Sequence, residues 1–290
     1  MLFLVGSIIL TSYLTLSFKV TERLRINTFH AIVFNYITCV VTGSLFNRHF
    51  PINSAALQQA WFPWALLMGA LFISIFNVIG FTTQQLGVSV ASVANKLSLV
   101  IPFLFSLYLY NEKVTALKAT GIVLALISVY LTVKPEKKET GSKNGQWVFV
   151  LPVLLFVGSG LLDTLVKYVQ QRFLNGGNNN DFLITAFAGA ASVGVVILLI
   201  QLITGRKKFE YRAVLAGIAI GFPNYFSIWC LVEVLKQHRS NSSAIIPINN
   251  MGIVLFSAVT AWILFKEKLS VINWLGIVLA IGAIALIAFG

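Results

Sequence analysis

Apolar stretches long enough to cross a bilayer follow one another along almost the whole chain, separated by small groups of charge, Gly, Asn or Pro. A hydrocarbon core of about 30 Å takes roughly 20 apolar residues at about 1.5 Å rise per residue. Windows of that kind predict ten transmembrane helices at 1–18, 28–46, 61–86, 90–110, 115–133, 146–171, 181–203, 212–235, 242–264 and 271–289. With 58% hydrophobic and 10% charged residues, the chain has more apolar surface than one water-facing core could bury, so lipid must be its solvent. The first window, 1–18, has no basic residue before Lys19 and no small-residue cleavage pattern, and it reads as a retained helix, not a cleaved signal. The expected fold is an all-α polytopic membrane protein, placed in a bacterial inner (cytoplasmic) membrane.

The one long hydrophilic stretch, 134–145, carries Pro, Gly, Ser and charge and cannot enter hydrocarbon. It divides the chain into a first five-helix repeat over 1–133, a polar linker over 134–145 and a second five-helix repeat over 146–290. The halves resemble each other at an offset of 155 residues: Gly121-Ile122-Val123-Leu124-Ala125 recurs as Gly276-Ile277-Val278-Leu279-Ala280, Glu112-Lys113 as Glu267-Lys268, and Asn95 as Asn250. Five spans per half is odd, so the second half must enter the membrane from the opposite face. The expectation is therefore two inverted repeats, the organisation that lets a midplane site open alternately to either side. Between the third and fourth spans the only polar break is Thr82-Thr83-Gln84-Gln85-Leu86-Gly87, which predicts a tight hairpin.

The net charge of +12 sits in short groups between apolar segments and forms no basic face, which favours membrane loops over a nucleic-acid partner. Loops after the odd-numbered spans hold 13 Lys and Arg against six in the other set, so the positive-inside rule makes the first set cytoplasmic and puts both termini outside. Cys39 and Cys230 are isolated within spans and read as apolar packing residues, without disulfide or metal spacing. No cofactor and no metal site is expected, and the oligomeric state is left open.

At the end of each half a helix leads into a short turn with Glu, Tyr110-Asn111-Glu112-Lys113-Val114 or Phe265-Lys266-Glu267-Lys268-Leu269, and a final helix opens with Gly121-Ile122 or Gly276-Ile277. In these features the chain resembles the EamA-like family of the drug/metabolite transporter superfamily. The resemblance implies a ten-helix carrier of small organic solutes with a central cavity lined from both halves. It also implies cytoplasmic termini, against the charge count, which is kept as first choice.

Polar residues inside the spans are the candidate site. Lys96, beside Asn95 and Ser98 in the fourth span, costs about 2.5 to 3.5 kcal/mol on insertion scales, so it should face a wet cavity, bind an anionic group, or snorkel to the nearby helix end. Asn249 and Asn250 occupy the matching place in the ninth span just after Pro247, where they suit either a solute or an interhelical bond. The eighth span adds Asn224, Tyr225, Trp229 and Glu233, of which 225, 229 and 233 form one helical stripe. Asn77, Gln84 and Gln85 in the third span and Asn35 and Tyr36 in the second offer further polar lining, with interhelical structural bonds the preferred reading for the second. These define the substrate-binding set Asn95, Lys96, Ser98, Asn77, Asn224, Tyr225, Trp229, Asn249 and Asn250. For coupling or gating, Asp163 lies deepest among the acids, four residues from Lys167 on one helix face, and these two also suit an internal ion pair. Glu233 is a second coupling candidate, and Glu112 and Glu267 at helix ends suit gating or an interfacial structural role.

A secondary carrier fits the duplication and the polar residues within the spans, and no nucleotide-binding loop argues for direct ATP use. Helix 1 lacks an acid and Lys96 disfavours lipophilic cations, so the expected substrate is a neutral or zwitterionic small molecule such as an amino acid, with possible proton coupling. Alternatives are a lipid-handling or flipping protein and a multidrug exporter; an intramembrane enzyme finds no catalytic motif.

Overall fold

A computed structural model describes residues 2–110, 115–133, 147–174, 178–237 and 242–289. Among these the chain is all-α: α1 (Leu2–Arg23), α2 (Thr28–Phe46), α3 (Ser54–Leu57), α4 (Phe62–Leu86), α5 (Val88–Leu97), α6 (Val100–Tyr110), α7 (Ala116–Val133), α8 (Trp147–Phe173), α9 (Asn179–Ile203), α10 (Tyr211–Gln237), α11 (Ser242–Phe265) and α12 (Val271–Phe289). Eight stretches, one of them running from Val88 into α6, are long and apolar enough to cross a membrane, and the shorter apolar helices α7 and α12 complete ten. The chain is an all-α polytopic membrane protein.

The windows differ from the helices in three places. The first helix continues to Arg23, a short α3 stands between the second and third spans, and the fourth span is two helices instead of one. That last correction has a local cause. Pro102 has no N–H to donate to the Ser98 carbonyl one turn back, and its ring crowds that carbonyl. The Ser98 carbonyl accepts instead from the Ile101 N–H at 2.9 Å, and the Ser98 hydroxyl bonds the Asn95 carbonyl at 2.5 Å. The break expected between the third and fourth spans is a single residue, Gly87, whose φ of 100° is accessible at low cost only to glycine. The linker 134–145 and Glu112 lie outside the described residues.

The chain forms two compact units. One comprises Met1–Lys19, Val78–Leu161 and Ser227–Gly290, the other Val20–Asn77 and Leu162–Phe226. Each draws helices from both sequence halves. In the first unit α7 and α12 run antiparallel: a Cβ on Gly121 would meet Ile287 and the Ala283 carbonyl, and one on Gly276 would meet Thr132 and the Ser128 carbonyl. Residues 155 apart thus make reciprocal contacts. α12 begins with a capping box in which the Asn273 N–H donates to the Ser270 Oγ at 3.2 Å and the Ser270 N–H to the Asn273 Oδ1 at 3.0 Å. At the equivalent place in α7, the Lys118 N–H donates to the Thr115 Oγ1 at 3.2 Å. α5 and α11 pack through Val93, Leu97, Val254 and Ala258, in one core with Ala125, Ile277 and Ala280.

In the second unit α2 and α9 are also antiparallel, because His30 meets Gln201 at 3.3 Å while Asn180 donates to Asn47 at 2.8 Å. α10 lies on α2 backbone to backbone. A Cβ on Gly217 would sit 2.8 Å from the Ala31 carbonyl, and one on Gly221 2.5 Å from the Asn35 carbonyl. This Gly-x-x-x-Gly contact substitutes close packing for the hydrophobic drive that lipid removes. A core of Trp61, Ala65, Met68, Val169, Phe182 and Ala186 joins α4, α8 and α9.

Candidate functional site

The broken fourth span carries three of the candidate residues. α5 ends with Lys96 in its last turn, where the negative end of the helix dipole favours a cation. Asn95 and Lys96 are half-buried at the edge of the break and Ser98 is fully buried within it. Discontinuous helices of this sort bring backbone carbonyls and side chains to a midplane position that continuous helices seal off.

The opposite end of α5 is fixed from α11–α12. Glu267, half-buried in the turn after α11, accepts from the Val88 N–H at 2.6 Å, the Ser89 N–H at 3.4 Å and the Ser89 Oγ at 3.0 Å. A carboxylate on the first N–H groups of a helix gains both charge-assisted hydrogen bonds and the favourable dipole. It also explains Gly87 a second way, since a Cβ there would come within 3.0 Å of the Glu267 carboxylate. Nearby, the Lys19 Nζ donates to the Gln84 carbonyl and the Gln84 Nε2 to the Phe18 carbonyl, both at 3.3 Å, tying α1 to the end of α4.

The predicted residues divide between the two units. Asn95, Lys96, Ser98, Trp229, Glu233, Asn249, Asn250 and Glu267 belong to the first; Asn77, Asn224, Tyr225, Asp163 and Lys167 belong to the second. Residue 225 is thus separated from 229 and 233 of the same stripe. In the first unit Asn249 is 3% exposed, yet its Oδ1 accepts no hydrogen bond, and the buried hydroxyls of Ser7, Thr82, Thr83, Ser92 and Ser159 likewise lack a partner among the described residues. Trp229 stands edge-on to Phe3 at 5.4 Å, and Asn250 and Glu233 are half-buried.

In the second unit the candidates are engaged within the protein or turned outward. The buried Asn224 Nδ2 donates to the Asn35 Oδ1 at 3.0 Å, and the buried Tyr225 hydroxyl accepts from the Asn47 Nδ2 at 2.8 Å. The Asn77 amide donates to the Ile73 carbonyl of its own helix at 2.7 Å. Asp163 and Lys167 stand on an exposed face of α8, one turn apart.

Sequence reading passed over two devices that are visible in it. The spacing Gly217-x-x-x-Gly221 marks the close crossing of α2 and α10, and Ser270-x-x-Asn273 marks the start of α12. The polar side of α1, where Ser7, Ser12, Thr15 and Ser17 are buried, was obscured because serine and threonine hydroxyls commonly bond their own helix backbone.

Residues 147–289 match the EamA-like transporter family. The chain carries an EamA-like transporter domain. An uncharacterized protein of Haemophilus influenzae is 27% identical over 97% of this EamA-like chain and 95% of its own length. A WAT1-related protein of Arabidopsis thaliana is 28% identical over 36% of this chain and 25% of that protein. A crystal structure superposes on 99% of this chain and 96% of its own with a TM-score of 0.59 at 16% identity, a likeness of fold. The match covers the second half of the chain, is to a family of transporters, and points away from an enzyme.

Proposed function

We propose that this EamA-like chain is a secondary carrier that moves a small neutral or zwitterionic metabolite, amino-acid-like in size, across a bacterial inner membrane by alternating access. The observation that carries the reading is the set of buried polar atoms without partners among the described residues in the unit that holds the broken α5–α6 span. Desolvated hydroxyls and an amide oxygen are costly unless something fills them, at about 1–3 kcal/mol each. A polar solute with N–H and O–H groups satisfies that requirement. An amide oxygen and hydroxyls, with Lys96 a half-buried cation of the same unit, suit a solute bearing an amine and a carboxylate better than a lipophilic cation. Glu233, half-buried in the same unit, is better placed than the exposed Asp163 to carry a coupling proton.

Two inverted repeats, 1–133 and 146–290 about the linker 134–145, supply the motion. Thr115 and Ser270 cap equivalent helices, and Gly121 and Gly276 make reciprocal antiparallel contacts, as halves related by a twofold axis require.

Uptake of a mixed amino-acid pool into proteoliposomes under an inward proton gradient, read by mass spectrometry, tests the proposal. Wild-type protein should accumulate a subset of solutes unchanged, and both Lys96→Ala and Asn249→Leu should reduce that accumulation at least tenfold. Chemically altered solute, or undiminished uptake in both variants, would overturn it.

A further inference from the structure

The turn between α11 and α12 forms an open concavity of about 640 Å³ lined by Trp262, Lys266, Glu267, Lys268 and Leu269. Its shape follows from the backbone. Lys266 takes the left-handed conformation, φ 54°, directly after the last residue of α11, and the Glu267 N–H reaches back to the Ala261 carbonyl at 3.4 Å. From there burial alternates: Lys266 and Lys268 are exposed while Glu267 between them is half-buried and turned to the start of α5. The one acid in the cup is therefore committed to N–H and hydroxyl donors of α5, and the two ammonium groups dominate the rim.

The helices that meet at this turn expose apolar side chains on either side of it. Trp262 is 54% exposed and meets Trp274 edge-on at 6.3 Å, and Leu264, Val271, Leu275 and Val278 are each more than half exposed. Indole rings at this level of a membrane helix sit among lipid headgroups, with chains running past the aliphatic side chains beneath. A site that is cationic at the headgroup level, aromatic at the boundary and aliphatic below is complementary to one class of molecule.

We propose that this concavity binds an anionic diacyl phospholipid, with the phosphate held by Lys266 and Lys268 and the acyl chains laid along Trp262 and the aliphatic face of α12. The charge pairing selects anionic over zwitterionic headgroups, because a choline would bring its own cation against the two lysines. The site is independent of the transported solute. By holding the turn that carries Glu267, the lipid also steadies the carboxylate on α5.

Native mass spectrometry of the full-length protein, titrated with equal dioleoyl-phosphatidylglycerol and dioleoyl-phosphatidylcholine, tests this. The wild type should retain one phosphatidylglycerol in preference to phosphatidylcholine. That preference should fall about tenfold or more in Lys266→Gln/Lys268→Gln and persist in Lys207→Gln/Lys208→Gln, which removes two exposed charges from the turn between α9 and α10. Brominated-chain phosphatidylglycerol should quench wild-type tryptophan fluorescence more than that of Trp262→Phe. An unchanged headgroup preference in the Lys266/Lys268 variant, an equal loss in the Lys207/Lys208 variant, or a dimer that forms in place of lipid retention would each overturn the proposal.

Discussion

Buried asparagine amides behave differently in the two units, and the contrast separates what holds the molecule together from what is left for a solute. In the unit built on α2, α9 and the first part of α10, the buried Asn35 oxygen accepts from Asn224, and the half-buried Asn47 oxygen accepts from the exposed Asn180. In the unit that holds α5, α6 and α11, the Asn249 oxygen is also buried but accepts no hydrogen bond among the described residues. The second unit leaves some atoms unbonded too, among them the Asn35 Nδ2 and the Thr185 hydroxyl. The Asn35 and Asn47 amide oxygens nevertheless have their donors. The same side chain is an internal rivet in one place and a buried, unpaired acceptor in the other, and residue type alone does not say which.

Stability measurements can break that contrast. The largest effect is expected at the α2–α10 crossing, where Gly221→Val drives a side chain into backbone and should cost about 3 kcal/mol, read as a lowered thermal midpoint in detergent. Next, Glu267→Ala removes a charged acceptor from the α5 N-terminus and should cost about 2 kcal/mol, with Glu267→Gln recovering part of it. A double-mutant cycle on Asn35→Leu and Asn224→Leu should return a coupling of about 1 kcal/mol, in the range of interhelical bonds in membranes, with transport largely retained. The smallest stability change sharpens the comparison most: Asn249→Leu should leave the midpoint within about 0.5 kcal/mol or raise it, because it removes an unpaired buried oxygen, while uptake is lost. A cost at Asn249 as large as at Asn35 would erase the distinction between the units.

The helices were largely legible in the sequence because lipid imposes a length and a composition on each one, and ten windows fall on the ten apolar spans. The break at Ser98 was not anticipated, although Pro102 announces it, because the apolar run continues across it without a polar mark. The candidate site was legible as a set of residue types but not as a place. Tyr225 and Trp229 share a helix stripe by spacing and still belong to different compact units, since four long helices pass through both. Asp163 stood out by its depth in an apolar window, and depth along a helix carries no information about which way the side chain faces.

The grip of Glu267 on Val88 and Ser89 has a mechanical consequence. It clips the tail of one helix hairpin to the head of another helix, so tilting α11 drags the start of α5 with it. The compliance of that stretch is thereby pushed to the gap at Ser98, which acts as the knee of a crank whose upper end is pinned.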